Sequence, residues 1–319
     1  MVAVVVALAL AASGSNAAKL ELRGQVQPPY PGILANLSAQ QFPFDATVTC
    51  DKTGRFRFTK LAPGAYTLSV FVRGEGLVRK SVQLDAAKAD SKGVVWLDVA
   101  FKVPDGDTSV VQYAKRTGTV PFWALQIAPK ARREYRDARR ALSEQRIEDT
   151  IRHLKKAVEM SPEFAAAWQL LGQIAFQSDR LAEAEMCFRR VLAQDPDALE
   201  SIVNLGAVLL NRNRCAEALP YSERAVRELP TDAATNSQLG KNYLCLGDAV
   251  RALQYFSAAK QIDPGHYSKP QLALAMIYMS MGADLLARAE LDEALARFPD
   301  DGLAIDLKKK LAERTRQFP

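Results

Sequence analysis

The chain has 319 residues, of which 48% are hydrophobic and 24% charged, and it carries a net charge of +6. That composition excludes collagenous, low-complexity and broadly disordered proteins, and the length leaves room for about two domains. Residues 18–103 hold twelve Lys/Arg against seven Asp/Glu, whereas residues 130–319 hold 28 against 27, so the basic excess is confined to the first part and is too scattered for a dedicated nucleic-acid surface.

Residues 1–17, MVAVVVALALAASGSNA, have the form of a secretory signal peptide. An apolar run precedes small residues, and Ser15-Asn16-Ala17 offers a cleavage site before Ala18. The run is short against the roughly 20 apolar residues of a membrane span. No Lys or Arg precedes it, and no Cys follows it for lipid attachment. The alternative is an uncleaved N-terminal anchor. Either way the rest of the chain is expected to be exported, to the periplasm or the cell surface, with membrane contact only through this segment if it is retained.

Residues 18–103 change to period-two alternation between turn signals. Seven strands are expected: Leu20–Val26, Ile33–Ser38, Ala46–Cys50, Phe56–Leu61, Tyr66–Val72, Val78–Leu84 and Val94–Phe101. Strands at this spacing predict a sandwich. Three stretches carry a family likeness: Gly24-Gln25-Val26, then Asp51-x-x-Gly54-x-Phe56-x-Phe58, then Leu61-x-Pro63-Gly64-x-Tyr66-x-Leu68. On these the segment resembles the carboxypeptidase regulatory-like, prealbumin-like β-sandwich. The resemblance implies an accessory module without catalytic residues of its own. Some sandwiches of this shape bind sugars, so Tyr30, Phe42 and Phe44, in Pro-containing loops, form a candidate glycan platform. The plainer reading tucks them onto the sandwich edge. Asn36-Leu37-Ser38 is a formal glycosylation sequon inside a predicted strand.

Residues 104–129 read as a linker. Its apolar stretch Val120–Ile127, with Phe122 and Trp123, is expected to dock on the first helix that follows, because left bare it would be a liability. A partner-binding strip is the alternative.

From 130 to 300 the chain repeats. In the stretch from Ala165 to Pro196, Trp168, Leu171, Gly172, Ala175, Ala184, Phe188 and Pro196 stand at the offsets W-x2-L-G-x2-Y, A-x3-F and a closing Pro, with only the tyrosine replaced. Pro162, Pro196, Pro230, Pro264 and Pro299 recur at spacings of 34, 34, 34 and 35 residues. The segment resembles the tetratricopeptide repeat (TPR) family, and five units are expected. Small residues form columns where helices must approach closely, among them Ala138, Gly172, Gly206, Gly240 and Ala275. One hairpin cannot bury such a face alone, so the units must stack. The fold class is therefore multidomain: an all-β seven-stranded sandwich followed by an all-α solenoid.

Several positions depart from the pattern. The first unit, 131–164, has Asp137 and Thr150 at apolar positions and an arginine-rich helix, which reads as a charged cap or else an anionic-ligand site. Pro220 falls inside a helix, which is expected to start late or kink there. Ser222 replaces a large apolar residue. The fifth unit has one extra residue near Gly265-His266, and Ser268 is expected to cap a helix containing Pro270. Residues 301–319 are expected to close the stack with a helix that covers the last hairpin through Leu303, Ile305, Leu307 and Leu311.

Chemistry is hard to find. His153 and His266 have no carboxylate or cysteine at metal-ligand spacing, and no nucleophile-elbow, Walker or dinucleotide motif occurs. No enzyme, cofactor or metal is expected. Cys50, Cys187, Cys215 and Cys245 lack the spacing of a small disulfide domain and are expected to be buried thiols. The TPR resemblance implies a concave groove faced by Gln169, Gln173, Val203, Ala207, Ser237, Lys241, Leu272 and Met276. Of the Lys/Asn/Arg set that clamps a chaperone's C-terminal carboxylate only Asn204 fits; Gln169, Gln173 and Gln238 stand at the other places, which argues against that ligand. The leading expectation is a non-enzymatic exported scaffold holding a protein or peptide in its groove, since the joint architecture resembles bacterial envelope proteins that pair these modules. The alternative is carbohydrate or cell-wall binding by the sandwich, with the repeats as spacer.

Overall fold

The computed structural model describes residues 20–29, 33–39, 42–72, 76–100 and 127–317. The signal segment, Tyr30, Phe122 and Trp123 lie outside the described residues. Alternating apolar residues build seven strands: β1 (Leu20–Gln27), β2 (Leu34–Ala39), β3 (Asp45–Thr49), β4 (Arg55–Leu61), β5 (Gly64–Val72), β6 (Gly76–Leu84) and β7 (Val94–Ala100). They form two sheets, β4-β1-β7 and β3-β2-β5-β6. The larger sheet is antiparallel throughout, whereas β1 pairs in parallel with β7. Leu22, Val26, Phe56 and Phe58 of one sheet share a single core with Leu37, Leu68, Val70 and Val82 of the other. Tyr66 is fully buried in it and satisfies its hydroxyl by donating to the carbonyl of Ala62 at 2.8 Å. Gly54, at φ +78, closes the β3–β4 turn, where a Cβ would stand 2.5 Å from the carbonyl oxygen of Val26.

Eleven helices follow among the described residues: α1 (Pro129–Ser143), α2 (Ile147–Met160), α3 (Ala165–Gln177), α4 (Leu181–Gln194), α5 (Leu199–Asn211), α6 (Cys215–Glu228), α7 (Ala233–Cys245), α8 (Ala249–Ile262), α9 (Pro270–Ser280), α10 (Asp284–Arg297) and α11 (Gly302–Gln317). They pack as five hairpins and a closing helix. The small columns are buried as the spacing requires: Ala138, Thr150, Ala184, Ala218, Ala252, Ala275 and Ala287 have no exposed surface. At Gly172 a Cβ would stand 2.7 Å from the Phe188 ring. Each hairpin turns through one left-handed residue, Gln145, Asp179, Asn213, Gly247 and Gly282, at φ between 57° and 83°. The amide after each bonds back five residues, as from Arg180 to Ala175 at 2.8 Å and from Asp248 to Tyr243 at 2.9 Å. Ile127 is buried against Ala131 and Ala138, which docks the end of the linker on the first hairpin.

Three local expectations are corrected. α6 begins at Cys215, in step with the other second helices, and runs through Pro220 without a late start. Ser268 is not the cap of α9: Pro270 disfavours right-handed helix at the residue before it, so Lys269 takes φ 48° at the N-cap. The Ser268 hydroxyl is engaged by His266 and Ser237 instead, each at 2.7 Å. On α11 the buried face is Ala304, Leu307 and Leu311, following the helical period, whereas Leu303 and Ile305 remain about half exposed at 45% and 48%.

Candidate functional site

Stacking turns α3, α5 and α7, the first helices of the second, third and fourth hairpins, toward one surface. Opposite it stands the outer face of the larger sheet, where Asn36 and Ser38 of β2 alternate with the core residues Ala35, Leu37 and Ala39. Polar contacts join the two. Arg139 on α1 donates to Asp45 at 2.8 Å and to Thr47 at 3.3 Å. Arg79 on β6 donates to Asp232 at 3.1 Å. The Gln177 amide donates to the carbonyl of Ala39 at 2.9 Å. Between these contacts lies a gap of about 800 Å³, lined on one side by Asn36, Ser38, Thr67 and Ser69 and on the other by α3, α5, α7 and the turn into α9.

Of the eight groove residues expected from the sequence, Gln173, Val203, Ala207, Ser237 and Lys241 line this gap together. The other three do not. The Gln169 side chain accepts from the Ser201 hydroxyl of the next repeat. Leu272 is buried with Ala275 and Leu291 in the last hairpin's core. Met276 is 36% exposed, away from the gap. Asn204 and Gln238 both border the gap, and Gln238 turns its amide to the Val203 carbonyl at 3.1 Å and the Ser222 hydroxyl at 3.3 Å. The amide thus fills the place of the large apolar residue missing at position 222. Lys241 makes no ion pair or hydrogen bond among the described residues. It is open to water in the gap yet crowded by protein, and this desolvation lowers its ammonium pKa.

His266 and Tyr267 also line the gap and were not foreseen. The sequence offers only the extra residue of the fifth unit near this turn, and an insertion has no direction in sequence. His266 is buried and accepts at Nδ1 from the Ser268 amide at 3.2 Å, and burial lowers its pKa. His153 pairs with Glu134 at 2.6 Å. Among the described residues no group of three or more His, Cys, Asp or Glu stands close enough to hold a metal.

Two of the three residues of the aromatic platform pack on the sandwich core. Phe44 is 5% exposed, and both Phe42 and Phe44 meet Tyr66 edge-on at 5.6 and 5.8 Å. Burial of Phe44 leaves it no open face for a sugar, whereas Phe42 is only partly buried. The cysteine expectation is half corrected. Cys50 and Cys187 are buried thiols, but Cys215 and Cys245 form a disulfide with Cα atoms 6.2 Å apart. They lie 30 residues apart and meet because the start of α6 packs against the end of the antiparallel α7.

Residues 141–209 match the tetratricopeptide repeat family. The match runs from the end of α1 into α5, and the helical stack as a whole is TPR-like. Cellulose synthase operon protein C of Xanthomonas axonopodis pv. citri (strain 306) is 29% identical over 170 residues, which is 51% of this chain but 11% of that protein. Among solved structures, MamA 41-end from Desulfovibrio magneticus RS-1 has a TM-score of 0.51 at 20% identity, covering 55% of this chain and 99% of its own. PilW, a type IV pilus biogenesis factor, has a TM-score of 0.52 at 22% identity, covering 58% and 86%. These likenesses concern the fold of the TPR solenoid. Repeats of this kind mediate protein–protein interaction, and no catalytic family is indicated for the chain.

Proposed function

We propose that this protein is a non-enzymatic scaffold of the bacterial envelope whose TPR groove holds a protein or peptide partner. The observation that carries the reading is the concave surface itself. It brings Gln173, Val203, Asn204, Ala207, Ser237 and Lys241 onto one face. That surface mixes amides, small apolar side chains and one unpaired cation, which suits a peptide backbone and its side chains better than a single metal or phosphate. The β domain is read as an accessory module of the carboxypeptidase regulatory-like kind, in keeping with its strand pattern and its buried Tyr66. Export is supported by the form of residues 1–17 and by the Cys215–Cys245 bridge, since disulfides persist in oxidising compartments. No helix among the described residues is long and apolar enough to cross a membrane.

In-cell crosslinking and capture tests the groove. The full chain is compared with the triple variant Gln173→Ala, Asn204→Ala and Lys241→Ala. Loss of a specific crosslinked protein with unchanged helical content is the expected result, and capture of the same protein by both would sink the reading. Fractionation tests export: recovery with the periplasm or envelope is expected, and retention in the cytoplasm would refute it.

A further inference from the structure

The groove is not empty-handed: the chain's own β domain faces it, and the charges of the two surfaces match. Across the larger sheet, Asp45 pairs with Ser38, Ser38 with Thr67, and Thr67 with Ser81. The neighbouring row runs Thr47, Asn36, Ser69, Arg79. These two rows are thus acidic at the β3 edge, neutral and small in the middle, and basic at the β6 edge. The solenoid answers with Arg139 at one end and Asp232 at the other, bonded at 2.8 and 3.1 Å. Pairing fixes the orientation as well as the contact, because turning the sheet end for end would set like charges together.

From this complementarity we propose that the β domain is a built-in occupant of the TPR groove, and that a partner enters by displacing it. The inference rests on the groove being the partner site. It also states the partner's chemistry: a segment with an acidic group for Arg139, small polar residues between, and a basic group for Asp232. The dock is light enough to give way. The contacts named above are polar, and the side chains of Arg139 and Arg79 are 42% and 32% exposed, so water and salt reach them. The gap between the surfaces leaves the middle of the groove without tight packing. Displacement therefore gives up few apolar contacts.

The test reverses the sheet's charges and leaves the groove's own charges intact. Full-length Asp45→Arg/Arg79→Asp is compared with wild type by small-angle X-ray scattering and by binding of a fluorescent hexapeptide. The peptide has an acidic first residue, four serine, threonine or asparagine residues, and a terminal arginine. The variant is expected to show a larger radius of gyration and at least several-fold tighter peptide binding. The exchange Asp45→Arg/Arg139→Asp should scatter like wild type. Wild type should itself expand as salt rises from about 0.01 M to about 1 M, where the screening length falls from about 30 Å to about 3 Å. Circular dichroism confirms that each chain is folded. A variant that scatters like wild type, or one that opens without gaining peptide affinity, overturns the proposal. The partner reading itself fails on a different result, undiminished cellular capture by the groove variant, so the two can fall separately.

Discussion

Gly172 and Gly206 occupy the same place in successive repeats and do different work. A Cβ at Gly172 would press on the Phe188 ring at 2.7 Å, a side chain buried on every side. At Gly206 it would meet the tip of the Gln238 amide at 2.5 Å, which can swing away. Gly172→Ala is therefore expected to cost about 1–2 kcal/mol, overpacking outweighing the gain in helix propensity. Gly206→Ala should cost less, and urea unfolding of both variants checks the order. Glu21 shows a second residue-scale effect. Arg57 and then Arg23 hydrogen-bond its carboxylate, with Arg57 at 2.6 and 2.9 Å, and hold its pKa down to about 2. A carboxylate depressed by folding stabilises the fold above its unfolded pKa of about 4.3 and loses that contribution as pH falls through about 2. Glu21→Gln should flatten the pH dependence of stability across that window, read as the melting temperature at each pH. The effect should be small, because both arginines are substantially exposed.

Each hairpin is an element defined by two constraints. Its faces must be small where helices cross, and its turn must pass through a left-handed residue. Asp179, Asn213, Gly247 and Gly282 suit that turn, whereas Gln145 holds φ 60° without glycine's freedom or a short side chain that bonds locally. Gln145→Gly is expected to raise stability by about 0.5–1 kcal/mol, measured by thermal unfolding; a fall would mean that the Gln145 side chain contributes more than its backbone costs. The turns were missed in sequence because their residue types differ while their conformation repeats. The α6 helix teaches the converse. Pro220 signals a break, yet packing on α5 and α7 keeps the helix in register, so tertiary contact overrides the local preference. The replacement at Ser222 was legible, but its remedy was not, since Gln238 comes from the next repeat.

Across the whole molecule the stack is held by neighbour contacts and one covalent staple. Cys215–Cys245 ties the third hairpin to the fourth and closes a loop of sequence separation 30. Reduction is expected to lower stability by about 2–4 kcal/mol. Thiol titration of the denatured protein should find two groups before reduction and four after; four at the outset would show that the bridge does not form. In the native protein Cys50 and Cys187 should stay unreactive, because burial pushes their thiols up to about 11 and about 12.

The sequence by itself determined the elements. Seven strands and the repeating hairpins follow from periods of two and of 3.6, and from small residues recurring every 34 positions, because backbone geometry turns local spacing into faces. It also determined the shared face of Gln173, Val203, Ala207, Ser237 and Lys241, which any TPR stack would bring together. Only the tertiary structure decided what stands opposite that face, that Cys215 meets Cys245, and that Phe42 and Phe44 lie against Tyr66. Those outcomes depend on which polar surfaces and side chains meet across long separations in the chain, and outward-facing serine, threonine and asparagine look alike in sequence whether they meet water or another domain.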